Sequence, residues 1–88
     1  MNRRSRTQVI YAILKVTSES ERTEAGARKT TIMYKANLNF FRLNRYFHEL
    51  EKQELIKEST NPHHVYCLTE KGKELLRVIE TARKIIEL

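Results

Sequence analysis

The sequence predicts a mostly helical α+β domain in which three helices precede a β-hairpin and a long final helix. Three observations support this prediction. Apolar residues recur at helical spacing in four segments, and two short β-type runs bracket a turn that contains Asn61-Pro62. The chain has 88 residues, enough for one domain with a small core. Cores of this size are marginal alone, so dimerisation is a common remedy.

Positive charge is concentrated in two segments of the chain, which carries 17 Lys+Arg and 11 Asp+Glu for a net charge of +6. Residues 1–15 contain four Lys/Arg and no acid, and residues 28–52 contain six Lys/Arg and two Glu. The remaining residues sum to −2. A basic balance alone is weak evidence, but clustering on the first helix and the two helices that follow it favours a nucleic-acid partner.

Several protein classes are disfavoured. No apolar run approaches the roughly 20 residues of a membrane span, and the N-terminus lacks the apolar core of a signal peptide. We therefore expect a cytoplasmic protein. Cys67 is the only cysteine, so it is a structural thiol or forms an intermolecular disulfide. No Gly-rich phosphate loop, metal-ligand spacing or nucleophile motif is visible, so we expect no enzyme activity, cofactor or metal. The sequence identifies no small-molecule ligand, although a dimer can create a pocket between its subunits.

The first helix is predicted over Arg6 to Val16, with Ser5 as its N-cap. Its apolar stripe comprises Val9, Ile10, Ala12, Ile13, Leu14 and Val16. The segment from Ser18 to Gly26 is polar, acidic and without period, which predicts a loop or a frayed helix end.

The second helix is predicted to be short, from Arg28 to Ala36, and Asn37 can end it by adopting a left-handed backbone. Thr30 has two possible roles at its start. It can cap the helix, or it can join Lys29 and Thr31 in offering hydroxyl groups and helix N-terminal amides to a phosphate.

The third helix is predicted to begin after the N-cap Asn39 and to continue to Lys52. Its apolar residues fall on one side at the spacing of a core stripe: Leu43, Tyr46, Phe47 and Leu50. The other side is basic and polar, with one exposed aromatic: Phe41, Arg42, Asn44, Arg45, His48 and Lys52.

Leu55–Ser59 and His64–Leu68 are the predicted strands of the hairpin, with Tyr66 and Leu68 facing inward. Thr69 is the predicted N-cap of a final helix that reaches the end of the chain. Four of its apolar residues have coiled-coil spacing: Leu75, Ile79, Ala82 and Ile86. A winged helix has this order of elements: helix, tight turn, basic helix, strand, turn, strand and helix.

Two sequence motifs resemble those of a known family. Residues 33–41 (MYKANLNFF) followed by 46–50 (YFHEL) resemble the helix-turn-helix of small archaeal winged-helix DNA-binding proteins. Residues 66–76 (YCLTEKGKELL) resemble the passage from last strand to last helix in winged-helix regulators. Together the motifs lie in the order that the family requires. The archaeal chromatin-associated members and small regulators of archaeal viruses are similar in size.

The resemblance implies a winged helix-turn-helix domain over residues 1–68, made of a three-helix core and a β-hairpin wing. A C-terminal dimerisation helix over residues 69–88 belongs to the same domain. Helix 39–52 would then enter the major groove of double-stranded DNA, in the host cytoplasm if the protein is viral. The chain departs from the family where Gln53-Glu54 replaces a common Gly, and its short wing has no Lys or Arg at the tip.

Arginine can donate two hydrogen bonds to guanine, and asparagine can pair with adenine. We therefore expect Arg45 and Asn44 to read bases and Arg42 to be shared between base and phosphate; the alternative is a solvated helix face. Phe41 could contact a thymine methyl group or a partner subunit, or it could belong to the core. The complete set of expected DNA contacts is Arg3, Arg4, Arg6, Lys29, Thr30, Thr31, Asn39, Phe41, Arg42, Asn44, Arg45, His48, Lys52 and His63.

Arg3, Arg4 and Arg6 form a basic N-terminal arm that could reach phosphate or a narrow minor groove, or remain a solvated tail. At the wing, His63 and His64 are adjacent, so they point to opposite faces and suit one metal ion poorly. We expect one of them to contact phosphate instead.

The seam on the final helix is expected to pair two subunits. The first turn, with Leu75 and Leu76, should pack on its own core, whereas the part from Ile79 to Ile86 should project beyond the domain. The favoured function is a homodimeric, sequence-specific DNA-binding regulator. The alternatives are a chromatin-type protein with little sequence preference and a protein–protein interaction module that uses Phe41 and the last helix.

Overall fold

A computed structural model describes residues 4–24, 26–59 and 64–86. The elements are helices α1 (Arg6–Glu24), α2 (Lys29–Lys35) and α3 (Phe40–Lys52), strands β1 (Ile56–Ser59) and β2 (Val65–Leu68), and helix α4 (Glu70–Ile85). This is the predicted order and the predicted mostly helical α+β class. The turn between the strands lies outside the described residues.

Helix α1 is longer than predicted, because it continues through Ser18 to Glu24. Its start matches the prediction: Ser5 Oγ accepts from the Gln8 amide at 3.1 Å. The expected loop is wrong because this polar stretch has partners elsewhere in the fold. Glu21 Oε2 accepts from the Leu68 amide at 3.0 Å, which joins the last turns of α1 to β2.

Helix α2 begins at Lys29, and Arg28 occupies the N-cap position without a side-chain hydrogen bond to the helix. Thr30 therefore lies inside the first turn, and its predicted capping role is wrong. Asn37 ends the helix as predicted, since its φ of 56° is left-handed. The Leu38 amide donates to the Met33 carbonyl at 3.0 Å, which closes the tight turn toward α3.

Glu54 takes the left-handed position at the end of α3, with a φ of 59°. Its amide donates to the Glu51 carbonyl at 3.0 Å, and the Leu55 amide donates to the Leu50 carbonyl at 2.8 Å. These bonds close the helix in the manner usually built around glycine. The exit of α3 is therefore tight despite the absence of a Gly.

The hairpin pairs Ile56 with Leu68 and Ser59 with Val65 in antiparallel register. Tyr66 and Leu68 are buried, as predicted. A backbone bridge from Ala27 extends the sheet: the Ala27 amide donates to the Tyr66 carbonyl at 2.9 Å, and the Tyr66 amide donates back at 2.7 Å. The sequence did not predict this bridge.

The core lies between the three helices and the inner face of the hairpin. Phe47 of α3 meets Tyr66 of β2 edge to face, with ring centroids 4.7 Å apart. Helix α4 packs along α1, where Lys15 pairs with Glu80 at 3.3 Å and the Arg83 guanidinium lies 4.2 Å from the Tyr11 ring centroid. The hydrogen bond to Glu80 raises the pKa of Lys15.

Candidate nucleic-acid interface

The outward face of α3 carries the residues predicted to read bases. Its start is fixed by Asn39, whose side chain accepts from the Arg42 amide at 2.8 Å, as predicted. Leu43, Phe47 and Leu50 are buried, so the predicted inner face is correct; Tyr46 is only partly buried. The cationic and imidazole side chains on the other side are all exposed, and Asn44 is partly buried at its edge: Arg42, Arg45, His48 and Lys52.

Phe41 lies on this outward face with 82% of its surface exposed. The possibility that it belongs to the core is therefore wrong. Phe40 and Tyr34 are exposed as well, so aromatic rings are interleaved with basic residues around the helix-turn-helix. Exposed aromatic rings can contact a thymine methyl group in a DNA groove or a protein partner.

A groove of about 210 Å³ separates the start of α1 from the side of α3. Its lining residues are Arg6, Arg42, Arg45, Tyr46 and Glu49. Arg6 is the first residue of α1, and its guanidinium forms an ion pair with Glu49. Three arginines and one glutamate leave this small space with a net positive charge, which suits an anionic oxygen ligand.

The N-terminal basic residues within the described part of the chain contact the helix-turn-helix. Arg4 donates through Nη2 to the Asn37 carbonyl at 2.8 Å, at the turn between α2 and α3. Arg6 reaches Glu49 on α3. A solvated tail is therefore the wrong description of these two side chains. Arg3 lies outside the described residues.

The three residues at the start of α2 that were predicted to contact phosphate differ in their exposure to solvent. Lys29 is partly buried, and its Nζ lies 5.3 Å from the Phe47 ring centroid. This cation–π contact holds the Lys29 ammonium group against a core residue. Thr30 is exposed and Thr31 is partly buried. Their contact with phosphate stays a prediction.

The wing contributes less to the described surface. His63 lies outside the described residues, and His64 Nδ1 lies 2.8 Å from Glu58 Oε2 on the neighbouring strand. Burial raises the pKa of the Cys67 thiol, which lowers its reactivity as a thiolate. Within the described ranges, no group of three or more His, Cys, Asp or Glu side chains is placed to hold a metal ion.

The structure buries part of the apolar seam predicted on α4 and leaves another part exposed. Ile79 is only 7% exposed, and Leu75 packs against the chain's own core. The prediction that the helix projects from Ile79 onward is therefore wrong at Ile79. Ala82 is partly buried and Ile86 is exposed. The outward stripe lies one position away, with Val78 53% exposed and Ile85 79% exposed.

Glu49 and Tyr46 are the groove residues that the sequence reasoning did not assign to the site. A spacing signal was available, because Arg42, Arg45, Tyr46 and Glu49 are separated by three, one and three residues and so share one side of a helix. No sequence signal pairs Glu49 with Arg6, since 43 positions separate them.

Comparison with known proteins supports the same architecture. A family profile described as winged helix-turn-helix matches residues 3–87. An uncharacterised protein of Methanocaldococcus jannaschii is 34% identical over 84 residues, which cover 96% of this chain. The chain spans 36% of the length of that relative.

A solved structure is also similar to this chain. It is the crystal structure of Sso10a-2, described as a DNA-binding protein from Sulfolobus solfataricus, with a TM-score of 0.77 and 28% sequence identity. The match covers 96% of this chain and 83% of that one. Within the described ranges, no helix is long and apolar enough to cross a membrane.

Proposed function

Because the chain belongs to the winged helix-turn-helix family, we propose that it is a DNA-binding protein that acts by binding rather than by catalysis. In the finer form of the proposal, it is a homodimeric, sequence-specific regulator of transcription that binds double-stranded DNA. Helix α3 enters the major groove, and residues 1–68 form the DNA-binding part while residues 69–88 serve dimerisation.

The observation that carries the proposal is the polarity of α3. One side supplies three buried apolar residues to the core, and the other presents Arg42, Arg45, His48 and Lys52 to solvent. A helix with this division can lie in the major groove without disturbing its own domain. The likeness to a structure described as a DNA-binding protein supports the same conclusion.

The side chains near the start of α3 suit base recognition. Arg45 is exposed, and its guanidinium can donate two hydrogen bonds to guanine O6 and N7. Asn44 at the edge of the face can pair with adenine, and exposed Phe41 can cover a thymine methyl group. A groove-inserted helix usually contacts bases through its N-terminal half, where all three residues lie.

The first test is fluorescence anisotropy of the purified protein with a mixed-sequence duplex of about 30 bp, long enough for two half-sites. Neutralisation of several phosphates predicts at least about a 10-fold loss of affinity between roughly 50 and 200 mM salt. The absence of binding at micromolar protein and low salt would contradict the proposal and favour a protein-interaction module built on the exposed aromatic residues.

Selection from genomic fragments separates regulation from chromatin-type binding. The exposed Arg and Asn groups favour enrichment of particular fragments, because base-edge contacts discriminate among sequences. Uniform recovery of fragments with salt-sensitive binding would instead identify a protein that binds DNA with little sequence preference.

The outward stripe of α4 is the surface we propose for dimerisation. Glu74, Arg77, Val78, Thr81, Ala82 and Ile85 line a shallow cavity of about 470 Å³. Val78 and Ile85 are exposed and two helical turns apart, which is the spacing of residues along a coiled-coil seam. A second copy of this helix would cover both apolar side chains, and two-fold symmetry would place two α3 helices about one turn of DNA apart.

Replacement of both Val78 and Ile85 by Asp is expected to give monomers, because a symmetric interface would then contain four buried carboxylates. Analytical ultracentrifugation measures the mass. Lys84→Asp on the same helix is the matched control, since Lys84 is exposed and does not line the cavity. A dimer that survives the double substitution would place the interface elsewhere.

A further inference from the structure

The groove between α1 and α3 has a specific role in the proposed binding. We infer that it holds one backbone phosphate of the duplex and that Glu49 limits how strongly that phosphate is bound. The inference rests on the proposed function and deepens it. It assigns an affinity-limiting role to an acidic residue of the DNA-binding surface.

The groove offers the chemistry that a phosphate needs. Arg6 on α1 and Arg42 on α3 bring two guanidinium groups for phosphate to a space of about 210 Å³, which Arg45, the proposed base contact, also lines. Each guanidinium can donate two parallel hydrogen bonds to phosphate oxygens. The Tyr46 phenol lines the same space and can donate a further hydrogen bond. Because the donors come from two helices, a phosphate in the groove would also fix the orientation of α1 relative to the DNA.

Glu49 opposes this attraction. Its carboxylate forms an ion pair with Arg6, so one of the three positive charges is neutralised in the free protein. The carboxylate also lies inside the groove, where it repels any phosphate that enters. The cost is electrostatic and does not depend on base sequence. Glu49 therefore weakens generic phosphate binding and leaves base contacts a larger share of the total affinity.

The ion pair contributes little to folding, which makes Glu49 a suitable position for substitution. The Arg6 side chain is 61% exposed and the Glu49 side chain is 36% exposed. Solvent screens pairs of this kind, so their loss changes stability only slightly. Glu49→Gln keeps the size and shape of the side chain and removes its charge.

The test compares Glu49→Gln with Glu51→Gln on a random-sequence duplex. Both variants remove one negative charge from α3. Glu51 is exposed and does not line the groove, and its charge interacts with Tyr66 instead. We expect Glu49→Gln to bind about 3- to 10-fold more tightly at low salt. Because Arg6 becomes available, the slope of log K against log salt should steepen by about 0.9. Glu51→Gln should change affinity by less than about twofold.

A double-mutant cycle with Arg6→Gln separates the groove from total charge. Arg6→Gln should lower DNA affinity more in the Glu49→Gln background than in the parent protein, because only the unpaired guanidinium is fully available to phosphate. Equal tightening by Glu49→Gln and Glu51→Gln would overturn the inference, since total charge alone would then explain the effect. Unchanged or weaker binding by Glu49→Gln would overturn it as well.

The groove is also tested without DNA. NMR spectra of the arginine Nε–Hε groups are recorded during titration with sodium phosphate, with sodium chloride of equal ionic strength as control. We expect the Arg6 and Arg42 signals to shift together, and to shift at lower phosphate concentration in Glu49→Gln. If no variant binds duplex DNA, the proposed function fails, but this titration still shows whether the groove binds phosphate. Absence of a phosphate-specific shift would overturn the groove assignment.

Discussion

Replacement of Gly72 by Ala is expected to destabilise the protein by about 2–3 kcal/mol, the upper part of the range for overpacking a tight contact. A Cβ on Gly72 would meet the Leu55 carbonyl group, 3.0 Å from its carbon and closer still to its oxygen. That carbonyl accepts from the Thr69 amide at 3.1 Å, and the Gly72 amide donates to Thr69 Oγ1 at 3.0 Å. Neither backbone can move away without weakening the N-cap of α4.

The sign of this effect is the test. Helix propensity alone predicts that alanine stabilises an α-helix by about 1 kcal/mol relative to glycine. Thermal unfolding followed by circular dichroism should instead show a midpoint lower by roughly 10–20 °C, from the sensitivity of domains of this size. Lys73→Ala, at the exposed next position, is the control and should change stability by about 0.5 kcal/mol or less. A Gly72→Ala protein as stable as the parent would contradict the close approach.

Replacement of Arg45 by Ala is expected to reduce the preference for a selected site over random DNA by about 10- to 100-fold. The reason is that one bidentate base contact contributes roughly 1–3 kcal/mol of discrimination. Arg45 is exposed on the outward face of α3, in its first half, where a groove-inserted helix meets base edges. Affinity for random duplex should fall much less than affinity for the selected site.

Competition binding with the selected and the random duplex measures this preference. Lys52→Ala is the matched control, because Lys52 is exposed on the same side of α3 but lies in its last turn. Its loss should lower the affinity for both duplexes equally and reduce the slope of log K against log salt by about 1, as for a phosphate contact. If Arg45→Ala also weakens both duplexes equally, Arg45 contacts phosphate and another residue reads the base.

Features set by neighbours along the chain could be predicted from the sequence. Ser5, Asn39 and Thr69 cap helices because a short polar side chain can reach an amide two or three residues further on. The two faces of α3 follow from its apolar spacing alone. Asn37 and the inward Tyr66 belong to the same group, since backbone preference and strand alternation are local properties.

The extent of α1 required the rest of the fold. Ser18 to Glu24 has no apolar period, so its sequence favours a loop as much as a helix. In the folded protein, the Glu21 carboxylate satisfies the Leu68 amide, and Ala27 then forms a backbone bridge to Tyr66. These partners lie 47 and 39 positions away along the chain. Local propensity contains no information about contacts at that separation.

The outward face of α4 was ambiguous for a different reason. Apolar residues occur on most sides of this helix: Leu75, Leu76, Val78, Ile79, Ala82, Ile85 and Ile86. The spacing therefore fits more than one stripe, and the stripe chosen from the sequence contained Ile79, which the structure buries. Packing against α1 decides which apolar residues are covered and leaves Val78 and Ile85 exposed.

The sequence by itself determined the order of the elements, the caps of α1, α3 and α4, the two faces of α3 and the basic character of the helix-turn-helix, because each depends on residues within about two helical turns. Only the tertiary structure brought Arg6 and Glu49 together, set the close approach of Gly72 to Leu55 and oriented α4. Those features depend on distances between elements, and the chain specifies such distances only after its core has packed.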